Sequence, residues 1–465
     1  MRKKIRLLMM AVLLSASTQA AEVTVDQALN IAHNFVNHGT NTFRADKGGA
    51  LKLAYEARSL TGCPDYYVFT RGNDGGFVVV SGEDRVQPVW GYCDHGTFDY
   101  GKMPVHVKWW FGEYQRQMQF LRDHPDVQPR ARVTLSNGAG PLMSTQWDQC
   151  RPFNDMCPEA PSANDQYLIY GGRACTGCAA AAMAQIMKYH RWPMNGTGFY
   201  SYEASVKYYD PQTGELVTDS RTLSADLSQS VYQWGLMKDQ YLYKDMNNYG
   251  YFDENMHIYI KVIDENGDTV PDVNNTHGNA VAKLMSDIGI TLKIQYASCD
   301  FGSGAFISNV YNSFRDYFGY SVNYYERDNY WYGNWDELLR SQIDAGCPIY
   351  YAAKGSGSHA FVIDGYDTDG RFHINWGWGG DYDGYYETLA LKPGNHSYTT
   401  EHRVVFSKPN RPEWLYYDVD RDGQIGIADV ADLIDLVIAG DILYYTGNKA
   451  SIADVTDLID YLLEH

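Results

Sequence analysis

An α+β chain made of successive folded parts is what this sequence predicts, and three observations carry that expectation. Residues 22 to about 125 show helix-period and strand-period patterns in turn, and residues 141 to 409 are Gly- and Tyr-rich with helices and strands mixed. The last fifty residues hold the pattern IADVADLID (427–435) again as IADVTDLID (452–460), an internal duplication of a helix. A length of 465 residues exceeds one ordinary core, and 45% hydrophobic with 20% charged residues suits folded globular material. The formal charge of −19, with no basic patch after the first residues, argues against nucleic acid as a partner.

The elements follow in chain order. Arg2, Lys3, Lys4 and Arg6 precede the apolar run Leu7 to Leu14 and the small-residue stretch Ser15 to Ala21, the pattern of an export signal cleaved near Ala20. That run is too short to span a bilayer, and no later run reaches spanning length. The mature protein is expected to be secreted or at the cell surface, with the periplasm as another destination. Residues 21–138 form the first unit. In it Val25 to Asn37 has Ala28, Ile31, Ala32, Phe35 and Val36 on one helical stripe, residues 65–69 and 76–81 read as strands around an Asn73-Asp74-Gly75 turn, and His106 to His124 reads as a second helix. Pro125 to Gly140 carries no period and reads as an exposed linker open to cleavage. The second unit, residues 139–409, contains the helix Cys178 to His190, ended by Pro193, and the strands 360–366 and 371–376 around the turn Asp367 to Gly370. Residues 410–465 form the third.

Cys178 sits where the Gly177 turn leads into an Ala-rich helix, and a helix N-terminus favours a thiolate through its unpaired N–H groups. Residue type leaves three readings open there: a nucleophile, a small buried Cys, or one half of a redox pair with Cys175. Eight cysteines in an exported chain permit disulfides, and a catalytic thiol would leave an odd number for pairing. Among thirteen His, His359 follows the flexible stretch 355–358 and opens an apolar strand. His373 and Asn375 share one face of the returning strand, so Asn375 is placed to reach His359.

The segment ACTGCAAAAMAQIMKYH (174–190) followed by Trp192-Pro193 resembles the nucleophile helix of the streptopain family of papain-like cysteine peptidases. SHAFVIDGY (358–366) and FHINWGWGG (372–380) are similar to that family's histidine and Asn-Trp strands, and QCRPFN (149–154) to its oxyanion segment. The resemblance covers about residues 22 to 408. It implies a papain-like catalytic domain, a helical half plus an antiparallel β half, behind an α+β inhibitory propeptide that carries GFVVVSGED (76–84). It also implies Cys178 as nucleophile, His359 as base and then acid, and Asn375 orienting His359 under the shield of Trp376. Gln149, with Gln146 as second choice, would hold the oxyanion, and Ser303 and Ser358 would line the substrate cleft. A disulfide Cys157–Cys175, with Cys150 as the competing partner, is implied in the same way. Protein or peptide chains would be the substrates, and the propeptide its own inhibitor.

In the tail, Asp418, Asp420, Asp422, Gln424 and Asp429 take EF-hand loop positions 1, 3, 5, 7 and 12, with Gly423 at the turn. One structural Ca²⁺ is expected, because the second repeat reads LYYTGNKA (443–450) and lacks Asp ligands. The duplicated helix resembles a dockerin module, which implies a cohesin-like partner. A zymogen endopeptidase with no cofactor for catalysis is the reading that uses Gln149, Cys178, His359 and Asn375 together. A non-catalytic glycan- or peptide-binding protein and a thiol–disulfide oxidoreductase on Cys175/Cys178 are the alternatives.

Overall fold

In a computed structural model of the chain, residues 22–464 are described apart from 39–48, 125–133, 164–168, 243–250, 253–257, 264–266, 331–332, 355–357, 389–400, 412–416, 421–423 and 441–449. The expected export signal therefore lies outside the described residues. A ten-stranded sheet organises the fold, and its strand order runs through both the first unit and the second. Leu51–Arg58, Pro64–Arg71, Phe77–Ser81 and Val89–Cys93 come first, followed by Gly384–Tyr386, Phe372–Asn375, Ser358–Tyr366, Ile349–Lys354, Glu401–Pro409 and Tyr320–Glu326. Every neighbouring pair is antiparallel.

Phe77–Ser81 is buried throughout, and its run of Phe and three Val suits a strand with both faces covered. Helix Val25–His38 presents Ala28, Ala32 and Val36 to Val78 and Val80. Helix Val105–Asp123 covers the other face with Trp110, Phe111, Tyr114 and Met118 and continues onto Phe361, Ile363 and Trp376 of the second unit. Trp110 meets Trp376 and Phe361 edge-on, with ring centroids 5.6 and 5.7 Å apart. The other half of the second unit is helical: Cys178–His190, Thr276–Thr291 and Ile307–Asp316 share one core with Val362 and Val405 of the sheet. Helix Cys178–His190 is buried nearly all round, and its four consecutive Ala side chains let its backbone lie close to its neighbours. In the tail, helices Ile427–Ala439 and Ile452–Glu464 pack through Val430, Leu433 and Leu458.

The two units meet at a seam where Tyr385 and Tyr386 pair with Tyr92 and Gly91. The rings of Tyr92 and Tyr385 stack at 5.2 Å, and the Tyr114 hydroxyl donates to the Glu387 carbonyl at 2.9 Å. Arg371 is buried there. Its guanidinium donates to Asp367 and to the Val89 carbonyl, and it lies over the rings of Phe35 and Tyr92 at 5.0 and 5.4 Å.

The expected helices and strands are present, with bounds moved by a residue or two. Several elements carried no strong local signal, among them strand Val89–Cys93 and the hairpin Phe199–Tyr209/Leu216–Asp226. Residues 134–140 are exposed or half-buried, as expected of the linker, but they are not free of the rest of the chain. The amides of Leu135, Ala139 and Leu142 donate to the carbonyls of Thr368, Tyr366 and Asp364, so this stretch is tied beside the histidine hairpin instead of running free. At the seam, a methyl group on Gly384 would lie 2.4 Å from the Tyr92 carbonyl oxygen. We expect Gly384→Ala to weaken the full chain by about 1–3 kcal/mol, read as a lower urea midpoint in a Cys178→Ala background. An unchanged midpoint would mean that the seam yields freely.

Candidate active site

Gly177 holds φ of +84°, a conformation open to glycine at little cost, and it lets the chain turn directly into helix Cys178–His190. A side chain there would also strike the Ser303 carbonyl, 2.9 Å from an added Cβ. The turn leaves Cys178 at the first helical position, lining a cleft of about 870 Å³ together with Gln149, Ser303, Tyr350, His359 and Trp378. The Ala360 amide donates to its sulfur at 3.4 Å. Burial nevertheless pushes the Cys178 thiol up to about 11, against the pull of that amide. The helix N-terminus is present, but desolvation outweighs it.

His359 lines the same cleft. The imidazole is only 3% exposed and donates from Nε2 to the Trp376 carbonyl at 3.1 Å. It lies nearly parallel to Trp376 and Trp378, with centroids 6.3 and 6.2 Å away. The expected Asn375–His359 contact is not made. The hairpin register sets Asn375 opposite Val362, three residues past His359. Its side-chain oxygen accepts from Gln185 at 3.0 Å and its amide donates to the Thr145 carbonyl at 2.7 Å. Trp376 thus holds the imidazole itself instead of screening an Asn–His pair. His373 donates to Asp364 at 2.6 Å on the other side of the sheet.

Gln149 is buried, lines the cleft, and its side-chain Nε2 makes no hydrogen bond among the described residues. A buried amide donor without an acceptor costs about 1–3 kcal/mol, and such groups mark places where a ligand oxygen is received. Gln146 is engaged elsewhere, accepting from Gln240 at 2.8 Å, which favours Gln149 of the two. Ser303 also borders the cleft, but its hydroxyl is turned inward, accepting from the Ala297 amide at 2.9 Å. Ser358 starts the histidine strand, and its side chain lies outside the described residues.

The disulfide expectation is corrected, since all eight cysteines are free thiols. The Cys175 sulfur accepts from the Ser303 amide at 3.1 Å and meets the Ser303 hydroxyl at 3.3 Å, while Cys157 faces the Tyr296 hydroxyl. With its sulfur held by Ser303, Cys175 serves the floor of the cleft, and burial raises its thiol as well. In the tail, Asp418, Asp420 and Asp429 bring one oxygen each within 4.8 Å of one another, whereas Gln424 is exposed and Asp422 lies outside the described residues. Trp378, Gln185 and Thr145 were not anticipated. The WGWGG run offered a signal for Trp378, and the other two act only through tertiary contacts.

The signature of the Peptidase C10 family matches residues 147–386, more than half of the chain, and that of the Spi protease inhibitor matches residues 20–118. Thiol protease/hemagglutinin PrtT of Porphyromonas gingivalis is 30% identical over 418 residues, which are 83% of this chain and 42% of that protein. Streptopain of Streptococcus pyogenes is 28% identical over 332 residues, 69% of this chain and 73% of that one. A solved fragment of prointerpain A from Prevotella intermedia superposes with a TM-score of 0.58 at 27% identity, covering 78% of this chain and all of that fragment. With the cleft residues and these matches together, the chain belongs to the Peptidase C10 family.

Proposed function

We propose that this chain is an exported cysteine endopeptidase made as an inactive precursor, with the first unit as its inhibitory propeptide. The observation that carries the reading is the buried, unpaired amide of Gln149 in the same cleft as Cys178 and His359. In the working enzyme the His359 imidazole leaves the Trp376 carbonyl and takes the Cys178 proton. The thiolate then adds to a peptide carbonyl, whose oxygen receives the Gln149 amide and the Cys178 backbone N–H. Collapse of this adduct breaks the C–N bond, and the imidazolium gives its proton to the leaving amine. Water, deprotonated by the same imidazole, releases the acid from the thioester. Asn375 would orient the imidazole once it has swung in. A hydrogen bond from His359 Nε2 to the Trp376 carbonyl, in place of one to Asn375, supports a latent precursor.

For the tail we propose one structural Ca²⁺. Asp418, Asp420 and Asp429 converge, and hard oxygen donors at this loop spacing suit that ion. Each duplicated helix also exposes the same three apolar positions, Ile427, Ile434 and Ile438 in one and Ile452, Ile459 and Leu463 in the other. These ridges support a cohesin-like partner with an apolar groove.

Four outcomes are expected. Cys178→Ala abolishes self-processing and casein hydrolysis, and Gln149→Ala lowers kcat by about 100-fold or more, as the loss of one oxyanion donor does. A Gln149→Ala enzyme with full kcat would move the oxyanion site. Alkylation of Cys178 by iodoacetamide in the unprocessed Asn375→Ala or wild-type precursor should be slow at pH 7 and rise toward pH 11, since only the thiolate reacts. A fast, flat profile would show an ionised thiol already present. Calorimetric titration of the full chain should find one Ca²⁺, lost in Asp420→Ala, with stabilisation of about 2.7 kcal/mol at a hundred times Kd. Binding retained by that variant would remove the loop from the site.

A further inference from the structure

Gln185 sits in helix Cys178–His190 about two turns past Cys178, on the same face as Cys178 and Ala181. Its neighbours on that face are small and apolar, yet its own amide is fully buried. Oε1 accepts from the Thr145 hydroxyl at 2.9 Å and from the Trp147 backbone amide at 3.4 Å. Nε2 donates to Asn375 Oδ1 at 3.0 Å, and Asn375 closes the circuit by donating from Nδ2 to the Thr145 carbonyl at 2.7 Å. Thr145, Gln185 and Asn375, from three separate stretches of chain, thus form one closed ring, all of it buried.

The backbone decides which way each amide points. The Thr145 carbonyl can only accept, so Asn375 turns its nitrogen there. The Gly377 N–H can only donate, so it meets the Asn375 oxygen, 3.1 Å away. The Trp147 N–H fixes the Gln185 oxygen in the same way, which leaves the Gln185 nitrogen for Asn375. The peptide unit whose N–H reaches Asn375 ends, on its other side, in the Trp376 carbonyl that receives His359. With Nδ2 committed to Thr145, the oxygen is the end of Asn375 left for an imidazole N–H. The other arm of the ring holds Trp147, two residues before Gln149.

We propose that Gln185 is a positioning residue for peptide hydrolysis, holding Asn375 and the oxyanion segment in register with the nucleophile helix. This role rests on the peptidase reading of Cys178, His359, Asn375 and Gln149. Gln185 does not line the cleft, so substrate affinity is spared when it is changed. An apolar side chain of similar length leaves the Trp147 N–H and the Thr145 hydroxyl without this acceptor and unties Asn375 from the helix. Misplacing a reacting group by about 1 Å is enough to slow a reaction on the order of a hundredfold.

The test uses full-length chains left to process, with active sites counted by a thiol-reactive epoxide, and reads kcat and KM on a short peptide. Gln185→Met should lower kcat per counted site about tenfold or more, with KM within about twofold of wild type. In an Asn375→Ala background the same substitution should cost less than about threefold, because the ring is already open. A kcat within about twofold of wild type would overturn the proposal. So would a loss as large in the Asn375→Ala background as in wild type, which is what general loosening gives, or a KM that rises as far as kcat falls. Should Gln185→Met not fold, Thr145→Val opens the ring at another corner and is judged by the same comparison with Asn375→Ala. Failure of the peptidase reading is a different result, a wild-type chain that takes up no epoxide at Cys178 and leaves the peptide intact.

Discussion

Antiparallel pairing of Tyr385 and Tyr386 with Tyr92 and Gly91 is the constraint on which the rest of the structure depends. It makes one sheet from two parts of the chain nearly three hundred residues apart, and so fixes where helix Val105–Asp123 must lie. Once that helix is laid on the sheet, Trp110 has Trp376 and Phe361 as neighbours and the wall behind His359 is set. Backbone pairing far from the cleft thereby governs the position of an imidazole inside it.

The local chemistry of the site was legible in the sequence. Gly177 before Cys178, the Ala-rich helix after it, and the apolar strand behind His359 are contiguous patterns whose physics is short-range. The duplicated tail helices were legible for the same reason. Gln149 was named through family resemblance, and what supports it now is a tertiary fact, an amide donor enclosed without an acceptor.

What could not be read depends on register and burial. The pairing sets Asn375 opposite Val362, three residues from His359 even after the bulge between Ile363 and Gly365 brings it one residue nearer, and the two-residue period says nothing of that register. The upward push on the Cys178 thiol comes from the protein packed around it, which no local motif reports. The implied disulfide is absent, and Ser303, from a loop more than a hundred residues downstream, donates its amide to the Cys175 sulfur.

Arg371 carries a consequence for the processed form. In the precursor its cation is roofed by Phe35 and Tyr92 and bound to the Val89 carbonyl, all from the part of the chain ahead of the linker. Taking that part away turns Gly384–Tyr386 from an interior strand into a rim with open N–H and C=O groups, the kind of border on which chains stack and precipitate. A guanidinium newly wetted beside it, still tethered by Asp367 and Asp369, puts a charged guard on that border and discourages self-association.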